Sequence, residues 1–139
     1  MQQIFHEIQI NTKGQGLYDF TNETISWLNK QKIKNGILNI NILHTSASLV
    51  IQENADPDVL YDLKFFFDKL VPMNNDFYKH TTEGIDDMPA HLKTMLTNTQ
   101  LTLSVKNKKP ILGTWQGLYL FEHRLENQNR TISHHLMGD

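Results

Sequence analysis

"LTLSVKNKKPILGTWQGLYLFEHR", residues 101–124, is the stretch on which the fold turns. "LTLSV" (101–105) reads as a strand, "KNKKP" (106–110) as a turn and "ILGTWQGLYLFEHR" (111–124) as a long strand. A strand, a short turn and a strand predict antiparallel, hairpin-like pairing. Under period two, Trp115, Gly117, Tyr119, Phe121 and His123 share one face, and Gln116, Leu118, Leu120, Glu122 and Arg124 share the other. Glu122 and Arg124, two residues apart, read most simply as a surface ion pair.

Upstream the pattern repeats. "IFHEIQI" (4–10) is a strand and "TKGQG" (12–16) a turn. "LYDF" (17–20) extends the chain before a helix that Thr21 would cap, with Ile25, Leu28 and Ile33 at helical spacing and Gly36 as its stop. "ILNINILH" (37–44) is a strand with Leu38, Ile40, Ile42 and His44 on one face, and "SLVIQE" (48–53) is another. "NADPDVLYDLKFFFDKLVP" (54–72) is the clearest helix: Asp56 suits the N-cap, Pro57 the first turn, and Leu60, Leu63, Phe67 and Leu70 form an apolar stripe. Residues 73–88 read as a polar loop. A further helix starts at Pro89, capped by Asp87 or Met88, and Thr131–Leu136 is a last short strand. The sum is an α+β fold, a mainly antiparallel sheet sandwich with about three helices.

Composition excludes several classes. The chain has 139 residues, fitting one domain over 1–139 with its own core. With 39% hydrophobic and 20% charged residues it is neither disordered nor membrane-like. A formal net charge of −2 with no basic stripe argues against a nucleic-acid partner. No apolar run is long enough to span a bilayer, and "MQQIFHEIQI" lacks the basic start and apolar core of a signal peptide, so a cytoplasmic location without a membrane partner is expected. The absence of cysteine removes disulfides, thiolate metal sites and a cysteine nucleophile.

Three clusters carry chemistry. His44 ends a strand and is either a histidine at the core's edge bonded to backbone or a ligand; the following "TSAS" (45–48) is either a Ser/Thr turn or a phosphate cradle of hydroxyls and N–H groups. In "HTTEGIDDMPAH" (80–91), His80 and His91 bracket Glu83, Asp86 and Asp87. Carboxylates this close need a cation, yet aspartates before a helix are also favoured by capping and the helix dipole. In the long strand, Trp115 between Gly113 and Gly117 is either plain packing or an aromatic floor for a ligand, with His123 at its rim. His134 and His135 read as exposed and incidental, and His6 has no evident partner. No Walker A, G-x-G-x-x-G, G-x-S-x-G, H-E-x-x-H or EF-hand pattern is present.

Taken together, "LYDFTNET" (17–24), "HTSASLVIQENADPDVLYDL" (44–63), "YKHTTEGIDDMPAHLKTML" (78–96) and "LGTWQGLYLFEHR" (112–124) resemble the YjbQ family, in the family's order and over nearly the whole chain. Two departures are "KNKKP", where the family usually has a glycine, and "NRTISHHLMGD" (129–139), which fits the closing strand weakly. The resemblance implies a sandwich-like α+β fold, a homotrimer, and a pocket of histidines and acidic residues near a subunit boundary. It also implies the family's label, secondary thiamine-phosphate synthase: a transferase joining a pyrimidine diphosphate to a thiazole phosphate with release of pyrophosphate. On that footing His44, His80, His91 and His123 are expected to hold a divalent metal ion, Zn²⁺ or Mg²⁺. Glu83, Asp86 and Asp87 are expected to act catalytically, and Thr45, Ser46, Trp115 and Gln116 to meet a phosphorylated small molecule or anion. The other reading is a non-catalytic trimer that binds a metal or anion in a structural or regulatory role.

Overall fold

A computed structural model describes residues 1–139. The elements run β1 (Gln2–Lys13), β2 (Gly16–Asp19), α1 (Thr21–Asn29), β3 (Gly36–Ile42), β4 (Ala47–Glu53), α2 (Pro57–Leu70), a 3-10 turn (Asn75–Phe77), α3 (Asp87–Leu96), β5 (Gln100–Lys106), β6 (Lys109–Pro110), β7 (Gln116–Glu122) and β8 (Asn127–Gly138). They build two antiparallel sheets, one in the order β1-β8-β3-β5-β6 and the other β2-β7-β4. This is the expected α+β sandwich.

The core lies between the sheets: Leu38, Ile40, Leu101, Leu103, Ile132 and Leu136 meet Leu49, Leu118 and Leu120. β7 is covered on both faces. Leu118 and Leu120 point into that core, while Phe121 turns the other way and meets Phe67 of α2 edge to face, ring centroids 5.5 Å apart. A strand buried on both faces needs a near-continuous apolar run, which "GLYLF" supplies.

The expected pairing of 101–105 with 111–124 is the main correction. β5 pairs with β3 and β6 in the larger sheet, and β7 lies in the other sheet. Residues 111–115 form the crossing between sheets, and Trp115 stands outside the strand at 64% exposure. The tight turn is smaller than expected, Asn107–Lys108 between β5 and β6, with φ of 52° and 63°. Positive φ at both central residues is the geometry glycine normally provides in such hairpins. Here the turn is held from outside: Asn107 N–H donates to Asn35 Oδ1 (3.0 Å) and Lys108 N–H to the Lys34 carbonyl (2.8 Å).

Other boundaries shift for local reasons. Thr21 does not cap α1; its Oγ1 accepts a hydrogen bond from Leu118 N–H, and Asp19 Oδ1 accepts from Thr21 N–H instead. α1 stops at Asn29, and Gly36 opens β3. α2 starts as expected, with Asp56 Oδ1 accepting from Asp58 N–H at 2.9 Å. Its stripe is only half covered, however: no α2 residue is fully buried, and Tyr61, Phe65, Phe66 and Leu70 are exposed. The last strand is twice the expected length, pairing along β1 from Gln2↔Gly138 to Lys13↔Asn127.

Polar groups occupy the inner face of β8. Arg130, Ile132, His134 and Leu136 alternate inward. Arg130 donates to both Glu122 oxygens (2.7 and 2.6 Å) and to Ser46 Oγ (3.0 Å), and Thr12 Oγ1 donates to Glu122 Oε2 (2.8 Å). Glu122 is therefore no surface partner of Arg124; it is fully buried and ties β7 to β8 and β1. His134, expected at the surface, is fully buried, 2.9 Å from Thr24 Oγ1 and beside Trp27, which also stacks on His6 (centroids 5.2 Å). Burial lowers His134 to about 4, with the nearby His6 adding to the effect. His123 is lowered to about 3 by burial and by Lys93 and Arg130.

Arg130→Met would leave Glu122 buried without its counter-charge. We expect a loss of about 3–5 kcal/mol in unfolding free energy by urea titration; a loss under about 1 kcal/mol would contradict the role of the pair. A second expectation concerns acid. Both folded histidine values lie below the unfolded 6.5, so the unfolded chain binds more protons. The contribution of each is complete above pH 6.5 and is lost as pH falls toward the folded values. Between pH 7 and pH 5 the unfolding free energy should fall by about 2 kcal/mol per histidine, and His134→Gln should roughly halve the slope. A flat profile over that range would show that the imidazoles are not buried neutral.

Candidate metal centre

Two segments distant in sequence meet beyond the C-terminal end of β7. The loop 81–86 turns at Gly84, whose φ of +111° suits glycine and where a Cβ would press to 2.9 Å from Asp86 Oδ1. α3 follows, beginning at Asp87, with Pro89 in its first turn where the missing N–H is harmless. The expected side-chain cap is absent: Asp86 sits at the N-cap position but gives its Oδ2 to Arg124 Nε (2.9 Å) and Leu125 N–H (2.8 Å). Asp87 and His91, four apart on α3, then face the same way.

His80, Asp87 and His91 converge, with ligand atoms all within 4.8 Å of one another. His80 Nε2 donates to Asp87 Oδ2 at 2.7 Å, and His91 Nε2 stands 3.2 Å from the same oxygen. His91 Nδ1 lies 3.0 Å from the Thr45 carbonyl oxygen. That oxygen only accepts, so Nδ1 carries a hydrogen and Nε2 is the nitrogen on the side of Asp87. The 3.2 Å contact of Nε2 with Asp87 Oδ2 is at ion-pair distance without an aligned hydrogen bond. A carbonyl behind Nδ1 is also the common orientation of a metal-ligating histidine. The Asp87 side chain is 3% exposed, and those of His80 and His91 are 40% and 32% exposed, so the group opens to solvent on the imidazole side.

The charges fit this order. Burial raises the Asp87 carboxyl, but the His80 hydrogen bond and the Arg124 charge outweigh it and hold it below the usual carboxylate value. Asp86 is lowered likewise, the Leu125 N–H and Arg124 overcoming burial. The hydrogen bond to Asp87, helped by Glu83, raises His80 above the ordinary histidine value. Glu83 Oε2 is 3.4 Å from His80 Nε2 at the exposed rim.

Several of the other expected site residues have different partners. His44 Nε2 accepts from Thr131 N–H at 2.9 Å, which occupies the nitrogen it would offer a metal. His123 is buried against Ser48 (2.9 Å) on the covered face of β7. Ser46 is bound to Arg130 through both its hydroxyl and its carbonyl. Thr45 is exposed beside His91. Trp115 and Gln116 lie at the opposite end of β7 from Glu122, about 20 Å away at strand rise, beside a shallow groove of about 290 Å³ with Ile51, Gln52 and Glu53. Arg124 is the site residue the sequence reading assigned elsewhere. It bonds Asp86, Asp87 and the Glu83 carbonyl at once. Its signal was available: two aspartates without a local cation need one from another segment.

No helix is long and apolar enough to cross a membrane. A family model described as "UPF0047 protein YjbQ-like" matches residues 6–139. A UPF0047 protein of Synechocystis sp. is 45% identical over 130 residues, covering 94% of this chain and 88% of that protein. The YjbQ protein of Escherichia coli O157:H7 is 38% identical over 133 residues, covering 95% and 96%. Among solved structures, a YbjQ-like protein of unknown function from Sulfolobus solfataricus P2 superposes with a TM-score of 0.90 at 25% identity, covering 99% of each chain. An uncharacterised YjbQ/UPF0047 protein from Clostridium acetobutylicum gives 0.86 at 32% identity, covering 95% of this chain and 99% of that one. With a matching family model over nearly its full length and relatives of this similarity, the chain belongs to the YjbQ-like UPF0047 family.

Proposed function

We propose that His80, Asp87 and His91 hold one divalent metal ion, and that the ion with the exposed Thr45 and Glu83 receives a small anionic ligand bearing phosphate. The convergence of His80, Asp87 and His91, with ligand atoms all within 4.8 Å of one another and the Thr45 carbonyl behind His91 Nδ1, carries this reading. Two imidazoles and one carboxylate suit Zn²⁺ or a similar transition metal better than Mg²⁺, which prefers oxygen and water. Tetrahedral zinc donors sit roughly 3.3 Å apart, and those present lie at 2.7 and 3.2 Å from the shared oxygen, so small shifts would admit the ion. Three protein ligands would leave a position for water or ligand, the pattern of catalytic rather than structural zinc.

The finer assignment is a thiamine-phosphate synthase activity, which we propose as a slow, metal-dependent side reaction. Its two substrates bring three phosphate groups, yet apart from the exposed Lys79 the nearby cations are engaged: Arg124 by Asp86 and Asp87, Arg130 by Glu122, and Lys93 by Asp68 at 2.5 Å. Neutralisation would fall almost wholly to the metal. The same shortage of free cations favours the second reading, a non-catalytic metal- or anion-binding protein. For assembly we propose a homotrimer built on the apolar face of α2 and α3, where Tyr61, Phe65, Phe66, Leu70, Met95 and Leu96 are exposed.

Metal-stripped protein titrated with Zn²⁺ should bind about one ion per chain, and His91→Ala should weaken that binding at least tenfold. Absence of saturable binding would end the metal reading. Turnover of pyrimidine diphosphate and thiazole phosphate that needs Zn²⁺ and disappears in His91→Ala supports the enzyme; tight binding without turnover leaves the non-catalytic reading. Light scattering should give about three times the 16.2 kDa chain mass, and a stable monomer would contradict the trimer.

A further inference from the structure

We propose that Arg124 is a positioning residue for the His80–Asp87–His91 group: it fixes how Asp87 is turned, and thereby sets the affinity of the group for metal. The inference rests on the metal reading above. Arg124 uses three separate N–H groups on three partners. Nε donates to Asp86 Oδ2 (2.9 Å), Nη1 to Asp87 Oδ1, and Nη2 to the Glu83 carbonyl (2.8 Å). With Oδ1 of Asp87 engaged from behind, Oδ2 is the oxygen left for His80 and His91. The planar guanidinium therefore orients the carboxylate rather than merely neutralising it.

The guanidinium is itself held in place. Arg124 N–H donates to Oε1 of the buried Glu122 at 3.0 Å, as does His123 N–H at 3.1 Å, so the strand end that carries Arg124 is anchored to the core. On the other side the loop closes tightly: a Cβ at Gly84 would lie 3.6 Å from Arg124 Nη2. Its side chain is only 21% exposed. Orientation thus passes from the core through Glu122, Arg124 and Asp87 to the two imidazoles.

Charge and geometry act in opposite directions on metal affinity. Removing a positive charge beside the group would by itself favour a cation, so neutral variants blur the result. Arg124→Lys separates the two effects, because it keeps the charge and gives up the forked contact. Zn²⁺ affinity, measured by chelator competition on the full chain, should fall about ten- to a hundredfold in Arg124→Lys, with circular dichroism and the thermal midpoint reporting an intact fold. Asp86→Glu, which keeps the charge but displaces the carboxylate that holds Arg124 Nε, should weaken binding in the same direction and serves if the lysine variant does not fold. Unchanged or tighter binding in the folded variants would overturn the positioning role, provided that wild type binds Zn²⁺ and His91→Ala does not. If wild type shows no saturable binding, or His91→Ala binds equally well, the metal reading fails instead.

Discussion

A buried ion pair governs this molecule. Arg130 of β8 and Glu122 of β7 join the two sheets across a core that is otherwise mainly apolar. Taking both charges from water is expensive, and the cost is offset because both Glu122 oxygens and the Nε and Nη2 of Arg130 are engaged. Glu122 accepts from Arg130, from Thr12 and from two backbone N–H groups, while Arg130 also reaches Ser46. Apolar contact alone would let the sheets slide; these directional bonds give the sandwich one relative setting.

The candidate site inherits that setting. β7 ends at Glu122, and two residues later Arg124 gathers the loop 83–87. Thr45, on the short link between β3 and β4, adds the carbonyl that orients His91. These segments are far apart in sequence, and Arg124 is tied to the core through its backbone N–H on buried Glu122. The rigid end of the sandwich thus presents a group that is open on its imidazole side and held from behind.

Much of the fold was legible because its signals are local. The Asp56-Pro57 start of α2 and the inward face of β3 follow from capping and period two. What misled was context. β5 and β7 lie close in the chain, with only the short β6 and a crossing between them, but the choice of sheet depends on burial of both β7 faces, which a single stretch does not reveal. His134 read as exposed and incidental, although Ile132 and Leu136 on the same face mark that face as inward. Glu122 and Arg124 are neighbours in sequence and on one face by spacing, yet each pairs with a group from another element. Within the candidate site, His80, Asp87 and His91 lie close enough in the chain for a local reading to gather them; His44, His123 and Trp115 were grouped by resemblance, and in the structure His44 bonds Thr131, His123 bonds Ser48 and Trp115 stands exposed.

The pairing of β1 with β8 carries a consequence for folding. β8 lies between β1 and β3, so β1 joins the larger sheet only through a strand that is distant in sequence. The same strand brings Arg130 to Glu122. Contacts of such long sequence separation slow folding. Completion of the larger sheet and the drying of the salt bridge thus hang on one event, the insertion of a single strand.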